Sequence, residues 1–290
     1  MRFCWFTLFI VLLTSVFRPQ QADAQLFYSG TEYGIVLGGS HYFGDLNDQY
    51  GLKDPHFAAG IFLRQHLTPY ISVRGSAIYT KVGYSDSYSK NDFYQMRNLS
   101  FTSDIVELAA QAEFNFTRFF TGEINHRFTP YLTGGLVAFY YNPYAYLNGQ
   151  RYFLRKLGTE GQNLSGYEDR KYGTVGFAVP VGIGLKWWIK PGFNLGVEIA
   201  DRLTLNDHLD DVSTSYVGAD KFPNNPDFPN PAYYLQDRSL EVSSVALGRA
   251  GKQRGNSETF DQYMVAVFHL SFQLKVYRCP NYLQSDVWQE

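Results

Sequence analysis

Cysteine is almost missing from this chain. Of 290 residues only Cys4 and Cys279 carry thiols. Cys4 lies in a leader-like N-terminus, without a lipobox-like Leu-x-x run that would make it a lipid anchor; its removal leaves Cys279 alone, so no intramolecular disulfide is expected in the mature protein. A basic excess is missing too. The balance of 25 Lys and Arg against 27 Asp and Glu argues against a nucleic-acid partner. Beyond residue 17 no apolar run is long enough for a membrane-spanning helix. No Gly-x-Ser-x-Gly elbow occurs, and no His, Cys or acidic spacing rises to a metal-ligand pattern. The sequence therefore nominates no catalytic residue, no metal ligand and no cofactor.

The N-terminus has the parts of a signal peptide: Arg2, an apolar run over 5–17, and Ala22-Asp23-Ala24 as a small-x-small cleavage pattern. Residues 1–24 are expected to be removed, which exports the chain without naming its compartment.

What the chain has in plenty is aromatic side chains and two-residue alternation. Aromatics make up 18% of residues, with 23 Tyr and 24 Phe, as in β segments with interfacial girdles. The segment 104–118 is the clearest case. Val106, Leu108, Ala110, Ala112, Phe114 and Phe116 form one row; Glu107, Gln111, Glu113, Asn115 and Thr117 form the other. A strand sends these rows to opposite faces, whereas a helix would mix them.

Similar alternation predicts strands over 32–43, 57–67, 70–84, 104–118, 130–141, 174–189, 194–206 and 260–276. Pro180 removes a ladder donor from the sixth, so a bulge or kink is expected there. Connections alternate as well. Those at 68–69, 119–129 and 190–192 are short or moderate; those at 44–56, 85–103, 142–173 and 207–259 are long. Short turns at one end and long loops at the other mark an outer-membrane barrel. A soluble lipocalin-like barrel has the same pattern turned inside out. Aromatics near strand ends break the tie. Phe114, Phe116, Tyr131, Trp187, Trp188 and Tyr277 are expected at one rim, and Tyr42, Phe57, Tyr79, Tyr140 and Tyr263 at the other, as two interfacial belts. The expected fold is an all-β, transmembrane, up-and-down antiparallel β-barrel of about eight strands over 25–277. A periplasmic tail follows at 278–290.

An eight-stranded lumen is just wide enough to be filled by side chains. The inward rows would place Arg64, Arg74, Glu107, Glu113, Lys186, Glu198, Arg202, His269 and Lys275 there. Buried charges are costly unless paired, so a plug of ion pairs is expected rather than a conduit. A solute path along those charges is the alternative. In the longest loop, His208 stands among Asp207, Asp210 and Asp211, with Ser213 and Ser215 close by. A solvated acidic turn is the favoured reading; a loop-borne hydrolase or acyltransferase site, or a metal site, is the other.

Several stretches together resemble one family. They are His41-Tyr-Phe-Gly-Asp-Leu-Asn47, Leu99-Ser-Phe-Thr-Ser-Asp-Ile-Val-Glu-Leu108, Thr129-Pro-Tyr-Leu-Thr-Gly-Gly135, Leu157-Gly-Thr-Glu-Gly161, Leu209-Asp-Asp-Val-Ser213 and Arg278-Cys-Pro-Asn-Tyr282. In order and spacing they resemble the PorG-like outer-membrane proteins of the Bacteroidetes type IX secretion system. The resemblance implies a non-enzymatic outer-membrane subunit supporting protein export or gliding. Its implied partners are the periplasmic ring's lipoprotein and soluble ring subunit, with outer-membrane lipid around the barrel. The ring lies on the short-turn side, so Phe120, Glu123, His126, Arg127 and Cys279 are the docking candidates.

Overall fold

The structure, a computed structural model, describes residues 31–48, 50–119, 126–190 and 192–273. Ten strands follow in order: β1 (Thr31–Phe43), β2 (His56–His66), β3 (Ile71–Ser85), β4 (Ser100–Asn115), β5 (Phe128–Tyr140), β6 (Tyr144–Leu147), β7 (Gln150–Phe153), β8 (Val175–Lys190), β9 (Phe193–Thr204) and β10 (Gln262–Gln273). Eight of them close a barrel. β1 to β5 pair in sequence, β5 pairs β8, β8 to β10 pair in sequence, and β10 returns to β1, antiparallel throughout. These are the eight strands expected from alternation, with ends moved by a few residues. The unexpected pair is β6–β7, a hairpin in the third long loop that touches the wall where Tyr144 meets Thr102 on β4.

The wall is apolar outside and largely polar within. On β8, Val175, Phe177, Val181, Ile183, Leu185 and Trp187 are exposed, while Lys186 and Trp188 are buried. On β4, Leu108 is 63% exposed and its neighbour Glu107 fully buried. A soluble barrel would reverse these rows. Apolar out and charged in is the transmembrane arrangement. The aromatic belts are only partly as expected. Phe114, Phe116, Trp187, Phe57, Tyr79 and Tyr140 face outward, but Tyr42, Tyr131, Trp188 and Tyr263 are buried. The hydroxyls of Tyr42, Tyr131 and Tyr263 supply the reason, since each donates to an interior carboxylate. Tyr277, Lys275, Cys279, Phe120 and Glu123 lie outside the described residues.

Pro180 shifts no register, so the expected bulge is not found there. The β5–β8 register is the same on both sides of it, from Gly134↔Val181 to Val137↔Ala178, with the intervening pairs missing. On its other edge Pro180 pairs Arg202 without interruption. The ring thus turns its missing donor toward β5, and the ladder lapses without shifting. The irregularity in this strand is instead at Trp188/Lys190, beside the turn.

Bulky inward rings need small residues opposite. A Cβ on Gly184 would sit 2.4 Å from the Tyr131 ring, and one on Gly34 would sit 2.3 Å from the Phe62 ring. Gly184→Leu is therefore expected to destabilise the barrel by about 1–3 kcal/mol through overpacking. Ile183→Leu, on the outer face, should be near neutral. Urea midpoints of the detergent-folded protein measure both, and equal midpoints would contradict the packing described.

Candidate functional site: the plugged lumen and the loop cap

The charged tier of the lumen is built around Glu113 on β4. The Arg64 guanidinium grips its carboxylate with two bonds, 2.8 and 3.1 Å, and donates a third to Glu32 at 2.8 Å. Lys186 Nζ reaches Glu113 at 2.5 Å and Asn115 at 2.9 Å. Arg74 pairs bidentately with Glu198 at 2.7 Å and stands 3.1 Å from Glu113. Glu32 further meets the side chains of His66, Asn194 and Ser271. Tyr131 donates to Glu198 at 2.6 Å and lies 3.1 Å from His269 Nε2. Apart from these stands one more pair, Arg202 with Glu107, joined by the Tyr263 hydroxyl. Among the described residues, Glu32, Glu107, Glu113 and Glu198 thus face Arg64, Arg74, Lys186 and Arg202, four acids to four bases.

Not all of the interior is charged. The Phe62 ring lies under Arg64 at 4.8 Å and Arg74 at 5.9 Å. Around it Val36, Ile78, Val82, Ile105, Val137 and Val265 form an apolar core that runs on into Leu209, Val212 and Leu235 of the loops. The sequence reading missed this half of the plug, because near the long-loop end both faces of the strands are apolar.

The long loops fold into a cap over that end, and four of the short motifs meet there. From 41–47, the Tyr42 hydroxyl lies 2.6 Å from Asp210 and 2.7 Å from Asp261. From 99–108, Phe101 packs edge-on against Tyr42, with ring centroids 4.7 Å apart. From 157–161, the Thr159 hydroxyl donates to Asp211, and Glu160 accepts from the Ser213 N–H at 2.8 Å. From 209–213, Asp211 also accepts from the Tyr172 hydroxyl at 2.5 Å, in a left-handed backbone conformation with φ 62°. Arg254 clamps the assembly, donating to Glu160 at 2.9 Å and to the Asp211 carbonyl. Arg97 holds Asp86 with two bonds of 2.7 Å and donates to the carbonyls of Arg254 and Asp45.

The acidic stretch after β9 is therefore not a solvated turn. Asp207, Asp210, Asp211 and Ser213 are buried. Its serine and histidine side chains each have other partners. Ser213 Oγ donates to Asp207 at 2.5 Å, whereas the His208 ring packs on Tyr172 at 4.6 Å, and the Ser215 hydroxyl accepts from Arg170. Among the described residues no three His, Cys, Asp or Glu side chains are arranged to hold a metal ion.

Seven carboxyl groups (Asp45, Asp86, Glu160, Asp207, Asp210, Asp211 and Asp261) cluster in this cap around two buried guanidinium groups, Arg97 and Arg254. Burial favours the protonated form of Asp45, Asp207, Asp210, Asp211 and Asp261. One hydroxyl has one proton to donate, so Tyr42 can satisfy only one of Asp210 and Asp261 in this way. Burial lifts both carboxyls well above the usual carboxylate range. Burial also pushes Asp45 up to about 7 against the pull of the Asn256 N–H and Arg97, and Asp207 up to about 7 against the Ser213 hydroxyl. Two buried oxygens, Glu160 Oε2 and Asp207 Oδ1, have no hydrogen-bond partner among the described residues.

At the short-turn end His126 is half-buried and Arg127 exposed. The Arg127 guanidinium stacks over the inward-turned Trp188 ring at 4.5 Å, and its carbonyl accepts the Trp188 N–H at 3.0 Å.

The molecule is a plugged, eight-stranded transmembrane β-barrel with a folded loop cap. The chain belongs to the family described as a domain of unknown function (DUF6089), whose model matches residues 5–222. Comparison with curated proteins gives no match. Among solved structures, Ail, the attachment invasion locus protein of Yersinia pestis, is 11% identical, with 86% of this chain and 100% of Ail covered at a TM-score of 0.40. Neisserial surface protein A is 10% identical, with 85% and 98% covered at 0.41. OprG from Pseudomonas aeruginosa is 8% identical, with 86% and 98% covered at 0.34. All three are similar in outline only, and no function is transferred from them.

Two outcomes are expected. Glu113→Gln leaves three cations in a sealed lumen short of a carboxylate and should cost about 3–5 kcal/mol in urea unfolding. The same change at exposed Glu241 should cost less than about 1 kcal/mol. In the cap, a carboxyl whose pKa is raised by folding stabilises the fold fully below its unfolded value, about 4. That contribution is lost as pH climbs through the folded value, about 7 for Asp45 and Asp207. Protease resistance of the long loops should therefore fall between pH 5 and pH 8, and Asp45→Asn with Asp207→Asn should flatten that fall. Resistance that rises with pH would reverse the assignment.

Proposed function

We propose that this protein sits in the outer membrane as a non-enzymatic anchor of the type IX secretion and gliding machinery. In this reading it fixes the periplasmic ring, through the ring's lipoprotein and soluble ring subunit, to the membrane. The observation that carries the anchoring role is the lumen filled with paired side chains. Among the described residues, four carboxylates pair with Arg64, Arg74, Lys186 and Arg202 inside it, and an apolar core of buried side chains packs beside them. A barrel without a conduit has only its wall and its two ends to work with. The resemblance of the six short motifs supports the type IX assignment, and the engagement of Ser213 by Asp207 and of the His208 ring by Tyr172 supports the non-enzymatic one. The long-loop cap then faces outward. The short-turn end, with Arg127, His126, the 120–125 segment and the Cys279 tail, faces the ring.

Deleting the gene should stop type IX cargo export and leave general outer-membrane permeability unchanged. Crosslinking from Cys279 in intact cells should capture the ring lipoprotein or its soluble partner. Planar bilayers holding the purified protein should stay silent. Normal cargo export in the deletion strain would end the secretion reading, and steady conductance would end the sealed-lumen one.

A further inference from the structure

Between the first, second and last long loops lies a cleft of about 450 Å³, within the ~300–1,000 Å³ range of small-molecule sites. Neither the plug nor the anchoring role uses it. We propose that this cleft binds a neutral saccharide chain.

Three rings stand at its mouth with much of their surface in water. Tyr50 is 64% exposed, Phe93 40% and Phe260 60%. The Tyr50 ring is exposed yet held. It packs 5.0 Å from Phe43, and its hydroxyl accepts from Gln262 Nε2 at 3.0 Å. Its backbone is left-handed, with φ 54°. That conformation costs a bulky residue about 1–3 kcal/mol and persists only where surrounding structure imposes it. The loop beneath is fixed by Asn47, whose amide bonds the carbonyls of Tyr42 and Gly51 and the Gly51 N–H. A ring held in the open by Phe43 and Gln262 offers a platform for an apolar face.

Planar polar groups lie between the rings, each with part of its capacity already used. Asp48 accepts from the Tyr94 hydroxyl through Oδ2, which leaves Oδ1. Asn91 caps Phe93 through Oδ1, which leaves its amide N–H groups. Gln262 donates to Tyr50, which leaves Oε1. Sugars present adjacent hydroxyls that a carboxylate or amide bonds in pairs, and a C–H face that lies flat on an aromatic ring. The electrostatics select within that class. The two cations at the cleft, Arg97 and Arg254, are buried and committed to Asp86 and Glu160. The groups that face the opening are acidic or neutral. Phosphate, sulfate and uronate groups are therefore disfavoured.

The inference needs only the cleft and stands apart from any secretion role. Its test uses the full mature protein in a phosphocholine detergent, which has no sugar headgroup to compete. Maltohexaose, cellohexaose and chitohexaose are titrated by calorimetry. At least one should bind with Kd below about 10 mM, and Tyr50→Ala and Phe93→Ala should each weaken it about tenfold or more. Urea midpoints should stay unchanged, and Phe228→Ala, exposed elsewhere on the cap, should bind as wild type. If Tyr50→Ala fails to fold, Phe93→Ala and Phe260→Ala decide the matter. No binding of any of the three sugars overturns the proposal. So does binding that survives both ring deletions, or a basic peptide or sulfated sugar that binds where the neutral ones do not.

Discussion

Charge neutrality inside a closed wall is the constraint from which the rest of this molecule follows. A single carboxylate, Glu113, is shared among Arg64, Arg74 and Lys186, contributed by β2, β3 and β8. All of these groups are buried, and each is worth having inside only because the others are there. The alternation of the strands is the sequence-level expression of that bargain. Every inward cation implies an outward apolar neighbour, so neutralising the interior and coating the exterior are one pattern.

The cap extends the same logic with a different solution. In the lumen, opposite charges cancel. Around Arg97 and Arg254 at the long-loop end the carboxyls outnumber the buried guanidinium groups, and burial favours their protonated form. The apolar core joining Val36 and Val265 of the wall to Leu209 and Leu235 of the loops makes barrel and cap one packed body. Loops held in this way can present fixed shapes at the surface. The strained Tyr50 backbone at the edge of the cap is one result.

Most of the wall was legible in the sequence, because period-two patterning is strong wherever one face meets lipid and the other meets charge. The strands around Glu113 and Lys186 show this. Legibility failed where that contrast vanished. Val36, Ile78 and Val265 point inward although apolar, and Tyr42, Tyr131 and Tyr263 carry a hydroxyl that suits an interior carboxylate as well as an interface. Glu32 opened the first predicted strand, yet its place in the network depends on Arg64, His66, Asn194 and Ser271. No local pattern brings those together. The acidic stretch after β9 looked like a surface turn because its partners, Tyr42, Thr159 and Arg254, come from distant loops. The β6–β7 hairpin was too short to stand out from the loop that contains it.

Glu32 lies on the first strand, and its partner Ser271 lies 239 residues on, in the last. The β1–β10 contact that joins them is the seam of the cylinder. Until the final strand is delivered, the first acid is short of a ligand and both sheet edges are bare. Completion of the wall and completion of its electrostatics are therefore the same event, and a chain that ends early lacks both together.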